Sequence, residues 1–282
     1  MTVVAQESGT LEAIQRPRSV FQRNANLVRE LSITSFKLKY TGSALGYVWS
    51  LIKPLMLFGI MFLVFSILLR VGKGDTDFPV QLLIAIVAWT FFTEATATAM
   101  NAVAGNGDLI RKAYFPRWIL VVASTTSALL TFAINTTLVL MVTFALGDLH
   151  LTLRSLFVPL FYLELIVLVL GLSLLLSSLF VFFRDLGHIW EIVSLVLFYG
   201  SGVVFPFMLI KSQTLLDLAG LNPVAQIIQD LRYSLVVSSP LNHSMVSLIG
   251  ALEVVPIMLS VTLFGVGFLV FNKLTPKFAE SL

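Results

Sequence analysis

Four glutamates lie in or beside long apolar stretches of the sequence, where a charged side chain is costly and therefore informative. Glu94 and Glu164 fall inside such stretches, whereas Glu191 and Glu253 fall near their ends. A carboxyl group in this setting can carry a proton, line a polar path or pair with a group on another helix. We expect Glu191 and Glu253 to be interfacial. For Glu94 and Glu164 we favour pairing between helices over a polar path, because a proton relay or intramembrane enzyme usually has more than two isolated acids.

Motifs for nucleotide, metal or nucleophile chemistry do not occur in the sequence. There is no Walker A motif, so no ATP site of the P-loop kind is expected in this chain, and there is no H-E-x-x-H or G-x-S-x-G motif. The histidines His150, His188 and His243 lack the spacing of metal ligands, and the chain has no cysteine. We therefore predict no catalytic residue, no metal site and no cofactor bound by this chain.

The composition indicates a membrane protein. Of 282 residues 57% are hydrophobic and only 12% are charged, against about 25% charged in soluble domains, and the mean hydropathy is +0.95. A membrane-spanning helix needs about 20 apolar residues, and six stretches qualify, at about 50–69, 79–99, 118–146, 156–183, 192–210 and 246–271. We predict an all-α integral membrane protein, with a cytosolic N-terminal segment (1–48) before one transmembrane domain (49–282).

The distribution of basic residues predicts the orientation of these spans. Most of the 18 lysines and arginines lie before the first span, in the loops after the second and fourth spans, and after the sixth. The positive-inside rule therefore places both termini in the cytosol. Residues 1–48 contain no apolar run of 7–15 residues typical of a signal peptide, which agrees with a cytosolic N-terminus.

Two further segments are predicted to be helical without spanning the membrane. Before the first span, Leu27, Leu31, Thr34 and Leu38 share a helix face beside basic residues, which is typical of an interfacial amphipathic helix. Gly42 and Gly46 would let the chain turn from it into the first span, with a simple stop-transfer anchor as the alternative.

The second such segment, 211–245, separates spans five and six. It contains VAQIIQDLRYSLVV, in which Ile227, Leu231 and Leu235 recur at helical spacing among polar residues. The run is too short and too polar to span. We interpret it as a re-entrant or interfacial helical hairpin on the outer side, with an ordinary surface helix as the alternative.

Four stretches together resemble one known family. K-x-K-Y-x-G-S-x-L-G-x-x-W-S-x-x-x-P at 37–54 is similar to the signature before the first span of ABC-2 type permeases that export cell-surface polysaccharides such as O-antigen, galactan or teichoic acid. The segments 106–117, 182–190 and 271–280 resemble, in the same order, that family's two cytosolic loops and its C-terminus. The resemblance covers about residues 28–280.

The resemblance implies a division of labour between chains. Two copies of such a permease pair with two separate ATP-binding cassette subunits, which hold ATP and Mg²⁺. The two short loops would couple the partner's closure to the spans: Asn106 or Asp108 would cap a short helix, Arg111 and Lys112 would project from it, and Arg184 with Asp185 would form a paired charge. The alternative is that these cations only keep the loops inside.

A path for a sugar polymer is expected to be rich in aromatic side chains and poor in charge. The candidates that we select are Trp89, Phe91, Phe92, Glu94, Glu164, Phe198, Tyr199 and Phe205. A lipid headgroup would enter beside the N-terminal helix, at Arg29, Lys37, Lys39, Tyr40, Tyr47 and Trp49.

The sequence therefore predicts a permease for lipid-linked polysaccharide in the cytoplasmic membrane of a bacterium, with no nucleic-acid partner. A drug or small-lipid exporter, an ATP-independent secondary transporter and an intramembrane enzyme stay open as alternatives.

Overall fold

A computed structural model describes residues 20–71, 75, 77–112, 114–145, 152–236, 239 and 242–281. Within these ranges the chain is helical and forms no extended strand, which confirms the predicted all-α class. Residues 1–19 of the predicted N-terminal segment and His150 lie outside the described residues.

The helices follow one another along the chain with short connections. They are α1 (Val20–Tyr40), α2 (Trp49–Met61, continued by a π-helical segment Phe62–Leu68), α3 (Phe78–Ala104), α4 (Gly107–Lys112), α5 (Trp118–Ala145), α6 (Val158–Phe180), α7 (Leu186–Gly200), α8 (Gln213–Gly220), α9 (Pro223–Leu235), α10 (Met245–Ile249), α11 (Val254–Leu274) and α12 (Phe278–Ser281). Short 3-10 turns at Gly46–Val48, Leu153–Phe157 and Gly250–Glu253 lead into α2, α6 and α11.

Within the described part of the chain, five helical stretches are long and apolar enough to cross a membrane. They are Gly46–Leu68, Phe78–Ala104, Trp118–Phe144, Leu153–Phe180 and Met245–Lys277, and they match the first four and the sixth predicted spans. The prediction of a continuous fifth span at 192–210 is wrong. Helix α7 starts earlier and ends at Gly200 after 15 residues, about 22 Å of helix, against a hydrocarbon thickness of about 30 Å.

The chain after α7 is irregular because its backbone dihedral angles leave the range of an α-helix. Gly202 has a φ of 61°, a left-handed conformation that glycine adopts at little cost. Residues Ser201–Val204 are nevertheless buried, so the segment runs inside the protein and not over its surface. The polar groups of this backbone therefore need partners from the protein itself.

Helix α3 forms the centre of the bundle. From residue 80 to residue 89 it is buried around its whole circumference, as expected of a helix segment that is mostly apolar on every side, and it packs against α5 and α6. Helix α11 packs on the far side of α6, and α1 packs along α5. Helix α2 lies on the flank, where only Ser50 and Pro54 are buried.

We name the two ends of the bundle by their segments. The basic end carries the loops 105–117 and 181–185 and the C-terminal residues 273–278, and the hairpin end carries α8, α9 and α10. This naming makes no statement about the side of a membrane.

Helices α6 and α11 approach each other closely at two glycines. A Cβ atom built on Gly171 would lie 2.5 Å from the Cα of Phe264, and one built on Gly267 would overlap the carbonyl oxygen of Gly171. Small residues at such a crossing let two backbones pack directly, a common device for holding membrane helices together.

We predict that Gly267→Ala destabilises the protein by about 1–3 kcal/mol, because the added methyl group forces apart two packed backbones. Gly265→Ala on the same helix is the matched control, since nothing lies within 4 Å of a Cβ there; alanine also favours the helix. Thermal unfolding in detergent measures both. Equal melting temperatures for the two variants would contradict the close crossing.

Candidate functional site

Three sequence-distant segments meet at the basic end in one apolar cluster. Ile110 of α4 and Phe271 and Phe278 near the C-terminus are buried together with residues from the ends of α3 and α5, and Phe182, after α6, packs against them. The guanidinium of Arg117 also donates a hydrogen bond to the carbonyl oxygen of Thr275. These segments are three of the four stretches that carry the family resemblance, so the fold brings the signature residues together in space.

Helix α4 is anchored by one buried side chain and presents its charges outwards. Ile110 is buried, whereas Asp108, Arg111 and Lys112 are exposed. The acid lies in the first turn and the bases in the last, which suits the helix dipole. Asn106 does not cap α4 as one of our alternatives predicted: its side-chain amide donates to the carbonyl oxygen of Ala102, in the last turn of α3, at 2.8 Å.

The second predicted coupling loop also exposes its charges. Arg184 and Asp185 are both exposed, and the guanidinium of Arg184 lies 5.3 Å from the centre of the Phe180 ring. The expected pairing of Arg184 with Asp185 is wrong: these two residues form no ion pair with each other. The salt bridge found among the described residues joins Lys39 to Glu94. The recorded contact of Arg184 is therefore with the Phe180 ring of α6 and not with its acidic neighbour.

An aromatic cluster joins the end of α1 to the start of α2. The rings of Phe36, Tyr40 and Tyr47 have centroids 5.4 Å apart in each pair. Between them the chain turns at Gly42 and Gly46, whose φ values of 81° and 49° confirm the predicted glycine turn. The connection between the two helices is thus a packed turn.

The face of α1 that packs differs from the predicted stripe. Leu27 and Leu31 are partly covered, but Thr34 and Leu38 are exposed, and the buried positions are Ser32 and Tyr40. The reason is tertiary: α1 runs along α5, and this contact selects the face.

The basic residues of α1 that were selected for a headgroup lie in its middle and in its last turn. Arg29 and Lys37 are exposed, and Lys39 forms the ion pair with Glu94 of α3. Glu94 therefore pairs between helices, as we favoured. Tyr47 and Trp49, at the α1–α2 junction, are about half exposed, whereas Tyr40 is buried.

The aromatic residues selected for a translocation path fall into two groups. Phe91 and Phe92 are packed inside the chain, against Phe132 and Trp190 respectively. Trp89, Phe198 and Tyr199 instead line a groove of about 530 Å³ between α2 and α7, together with Glu191. Phe205, in the irregular segment, is half-buried with its ring 6.3 Å from that of Phe207.

At the hairpin end, a buried arginine supplies the donors that the irregular segment needs. Arg232 of α9 is 1% exposed. Its Nη1 and Nη2 donate to the carbonyl oxygens of Gly202 at 2.8 Å and Val203 at 2.6 Å, and its Nε donates to that of Gln81 at 3.0 Å. One guanidinium thus joins α9, α3 and the segment after α7.

The polar residues of α9 are buried and bonded, which does not fit the alternative of an ordinary surface helix. Gln226 donates to Asp230 at 2.9 Å and to Glu164 of α6 at 3.5 Å. Asp230 also accepts from the backbone N–H of Met245 at 2.8 Å. Burial raises the pKa of the Asp230 carboxyl, and these two hydrogen bonds oppose the shift. Glu164 accepts a second bond from Ser260 of α11, so its described partners are neutral.

The sequence did not lead us to predict that Arg232 donates to buried carbonyl groups. It was considered only as one of the few cations outside the basic end. A signal exists in the sequence. Gln226, Gln229, Asp230 and Tyr233 recur at spacings of three and four and form one polar stripe of α9. Arg232 lies off this stripe, and a cation among apolar neighbours on a short helix requires a buried acceptor.

We predict that Arg232→Met lowers the free energy of unfolding by at least about 3 kcal/mol, because three buried carbonyl groups lose their donor. Arg154→Met is the control: Arg154 packs over the ring of Tyr233 at 4.5 Å, a contact worth about 0.5–1 kcal/mol at exposed sites. Denaturation in detergent, followed by tryptophan fluorescence, gives both values. Similar losses for the two variants would show that Arg232 does not hold the hairpin end together.

Several apolar helices of membrane-spanning length, with two charged loops at one end of the bundle, define this molecule as a multi-pass membrane domain. The chain belongs to the ABC-2 type transporter family, whose match extends over residues 26–236.

Its relatives include proteins described as O-antigen export system permease protein RfbA. The one from Klebsiella pneumoniae is 26% identical over 246 residues, which are 87% of this chain and 91% of the relative. The one from Myxococcus xanthus is 25% identical over 215 residues, 76% of this chain and 81% of the relative. The resemblance found in the signature stretches is thereby confirmed.

Proposed function

We propose that the chain is the permease subunit of an ABC exporter that moves lipid-linked polysaccharide across the cytoplasmic membrane of a bacterium. ATP hydrolysis, with its ATP and Mg²⁺, takes place in a separate nucleotide-binding subunit. Family membership supports the transporter class, and the relatives described as O-antigen export permeases support the polymer substrate.

The convergence of the two charged loops at the basic end is the observation that carries this proposal. Asp108, Arg111 and Lys112 project from a helix whose Ile110 is fixed in the same apolar cluster as the ends of α3, α5 and α11. Arg184 and Asp185 are exposed on the connection between α6 and α7, whose Val181 is buried in the same cluster. A partner that pushes on this surface therefore acts on the ends of several spans at once.

The topology that we propose has six crossings with both termini in the cytosol. The fifth crossing consists of α7 and the irregular buried segment that follows it. Irregular backbone at membrane depth is tolerated where it is buried in protein, and the bonds from Arg232 meet that requirement. The hairpin of α8 and α9 then lies on the outer side, and the basic end faces the cytosol.

The polymer path that we propose forms between two copies of the chain. In a single chain α2 and α7 leave apolar side chains exposed on both sides of the groove lined by Trp89, Phe198 and Tyr199. A second copy facing this groove would close a passage with aromatic walls. Lipid headgroups would enter it from the α1–α2 junction, beside Arg29, Lys37 and Lys39, with Tyr47 and Trp49 at headgroup level.

The test of this proposal measures ATP hydrolysis by the cognate ATPase subunit reconstituted with the permease in lipid. We predict a stable complex and permease-dependent ATP turnover. The double variant Arg184→Ala plus Asp185→Ala is expected to reduce turnover to the rate of the ATPase subunit alone, because the loop loses the charges presented to the partner.

The control is Lys211→Ala plus Asp217→Ala, which removes the same two charges at the hairpin end. Lys211 is exposed, and among the described residues the side-chain carboxylate of Asp217 accepts a hydrogen bond only from the nearby Gln213, so turnover is expected to stay at the parent's level. If no complex forms and transport is driven by protons and depends on Glu94 or Glu164, the proposal is contradicted and a secondary transporter is favoured.

A further inference from the structure

The hairpin end carries several buried hydrogen-bond acceptors that have no donor among the described residues. They include Oε1 of Gln226, Oε1 of Gln229 and Oδ1 of Asn242, on side chains that are at most 8% exposed. Oε2 of Glu253, at the end of the 3-10 turn that leads into α11, is also buried and without such a donor. Buried polar atoms normally have a partner, so this region lacks a source of further protons.

Two carboxyl groups at this end lie side by side. Asp230 of α9 is 2% exposed, and its carboxyl group is within hydrogen-bonding range of that of Glu253. Two carboxylates have no hydrogen atom to share and repel each other, so such a pair is stable with one proton between them. The positive dipole end of α11, which begins directly after Glu253, stabilises the one negative charge that remains.

The charged groups around this pair do not replace the proton. Arg232 lies two positions after Asp230, on the other side of α9, and its guanidinium donates to the carbonyl oxygens of Gln81, Gly202 and Val203. Glu164 of α6 adds a third acid, which opposes a second negative charge on the pair.

The remaining titratable groups on the elements that pack against α9 have contacts of their own. They are Arg154 over the ring of Tyr233, Tyr162 of α6 against Phe132, Asp217 of α8 bonded to Gln213, Glu94 of α3 paired with Lys39, and Lys273 at the far end of α11. His243, just before α10, contacts α9 through its backbone carbonyl, which accepts from Gln229 at 2.7 Å. A proton from solution is therefore the partner that the pair lacks.

We propose that Asp230 and Glu253 form a proton-binding site that fastens α9 to the start of α11. With the proton in place, one carboxyl group donates to the other. Asp230 also accepts from the backbone N–H of Met245, so the same carboxyl group ties α9 to α10. Loss of the proton leaves two adjacent carboxylates, whose repulsion loosens the hairpin from the last long helix. Burial raises the pKa of the Asp230 carboxyl, which agrees with a proton retained at this site.

Proton binding makes the stability of the hairpin end depend on pH. An unfolded chain releases both carboxyl protons near about pH 4, whereas the native pair keeps one of them at higher pH. The folded protein therefore holds the extra proton above that pH, and its stability falls as the pH rises until the native pair is ionised as well. Under the proposed function this end lies on the outer side, so the pH outside the membrane would act on it; the proton site itself does not depend on that function.

The test is thermal unfolding of the full permease in a maltoside detergent, over a series from about pH 5.5 to about pH 8.5. We expect the melting temperature of the parent to fall by about 3–8 °C across the series. Glu253→Gln is expected to remove most of this decline and to melt higher than the parent at the alkaline end, because the glutamine amide donates to Asp230 without a titrating proton. A merely damaged fold would not raise the melting temperature.

Matched controls separate this pair from its neighbours. Glu191→Gln makes the same change at an exposed acid of α7, and His243→Gln removes the neighbouring histidine; both are expected to keep the parent's decline. The proposal is contradicted if Glu253→Gln keeps the parent's decline, or if either control removes it as completely. It is also contradicted if Glu164→Gln removes the decline while Glu253→Gln does not, since the proton would then belong to α6.

Infrared spectra observe the proton directly, because a protonated carboxyl group has a carbonyl band distinct from the bands of a carboxylate. The parent is expected to lose part of this band over the same pH series, and Glu253→Gln is expected to lack that change. An unchanged band in the parent would contradict the site. Neither measurement contains an ATPase subunit or follows transport, so failure here is distinct from a failure of the proposed exporter function.

Discussion

The carbonyl oxygens of Gln81, Gly202 and Val203 converge on the guanidinium of Arg232. The chain leaves the helical conformation after α7 while it is still buried, and a buried backbone without donors is unstable. Arginine suits this task because its planar group presents several N–H donors in fixed directions. The three hydrogen bonds of Arg232 therefore fix both the position of α9 relative to α3 and its rotation about its own axis. The side-chain amide of Asn242 secures the end of α9, with bonds to the carbonyl oxygens of Arg232 at 2.8 Å and Val236 at 2.7 Å.

The two ends of the bundle are held by opposite kinds of force. At the hairpin end, directional bonds link α9 to α6 and α10 through Gln226 and Asp230. At the basic end, the loops rest on the apolar cluster that contains Ile110 and Phe278. Hydrogen bonds fix orientation, whereas apolar packing is less directional. Between the ends, the close contact of α6 with α11 at Gly171 ties the two together. Under the proposed function, a push at the basic end would thereby be delivered to a unit whose far end is fixed in orientation.

Much of the fold follows from the sequence, because apolar length and turn glycines are local properties. Five spans and the turn at Gly42 and Gly46 were predictable for that reason. The break after Gly200 was not predictable, because residues 192–210 are as apolar as a span. The donor that permits the break, Arg232, lies some thirty residues further along the chain. The packed face of α1 was mispredicted because α5 selects it. Glu94 and Lys39 were each selected from the sequence, but for different reasons, and their pairing depends on how α1 meets α3. The coupling, path and headgroup assignments remain predictions.

The apolar cluster at the basic end has a consequence for biosynthesis. Ile110 is seated among residues that include Phe271 and Phe278, more than 160 positions later in the chain. While the ribosome is still producing the intervening spans, α4 lacks the aromatic side chains that cover its anchor. The surface proposed to receive the ATPase subunit is therefore complete only after residues 271–278 have been synthesised and folded back. Recruitment of the motor subunit would thus await a fully translated permease, and truncated chains would escape it.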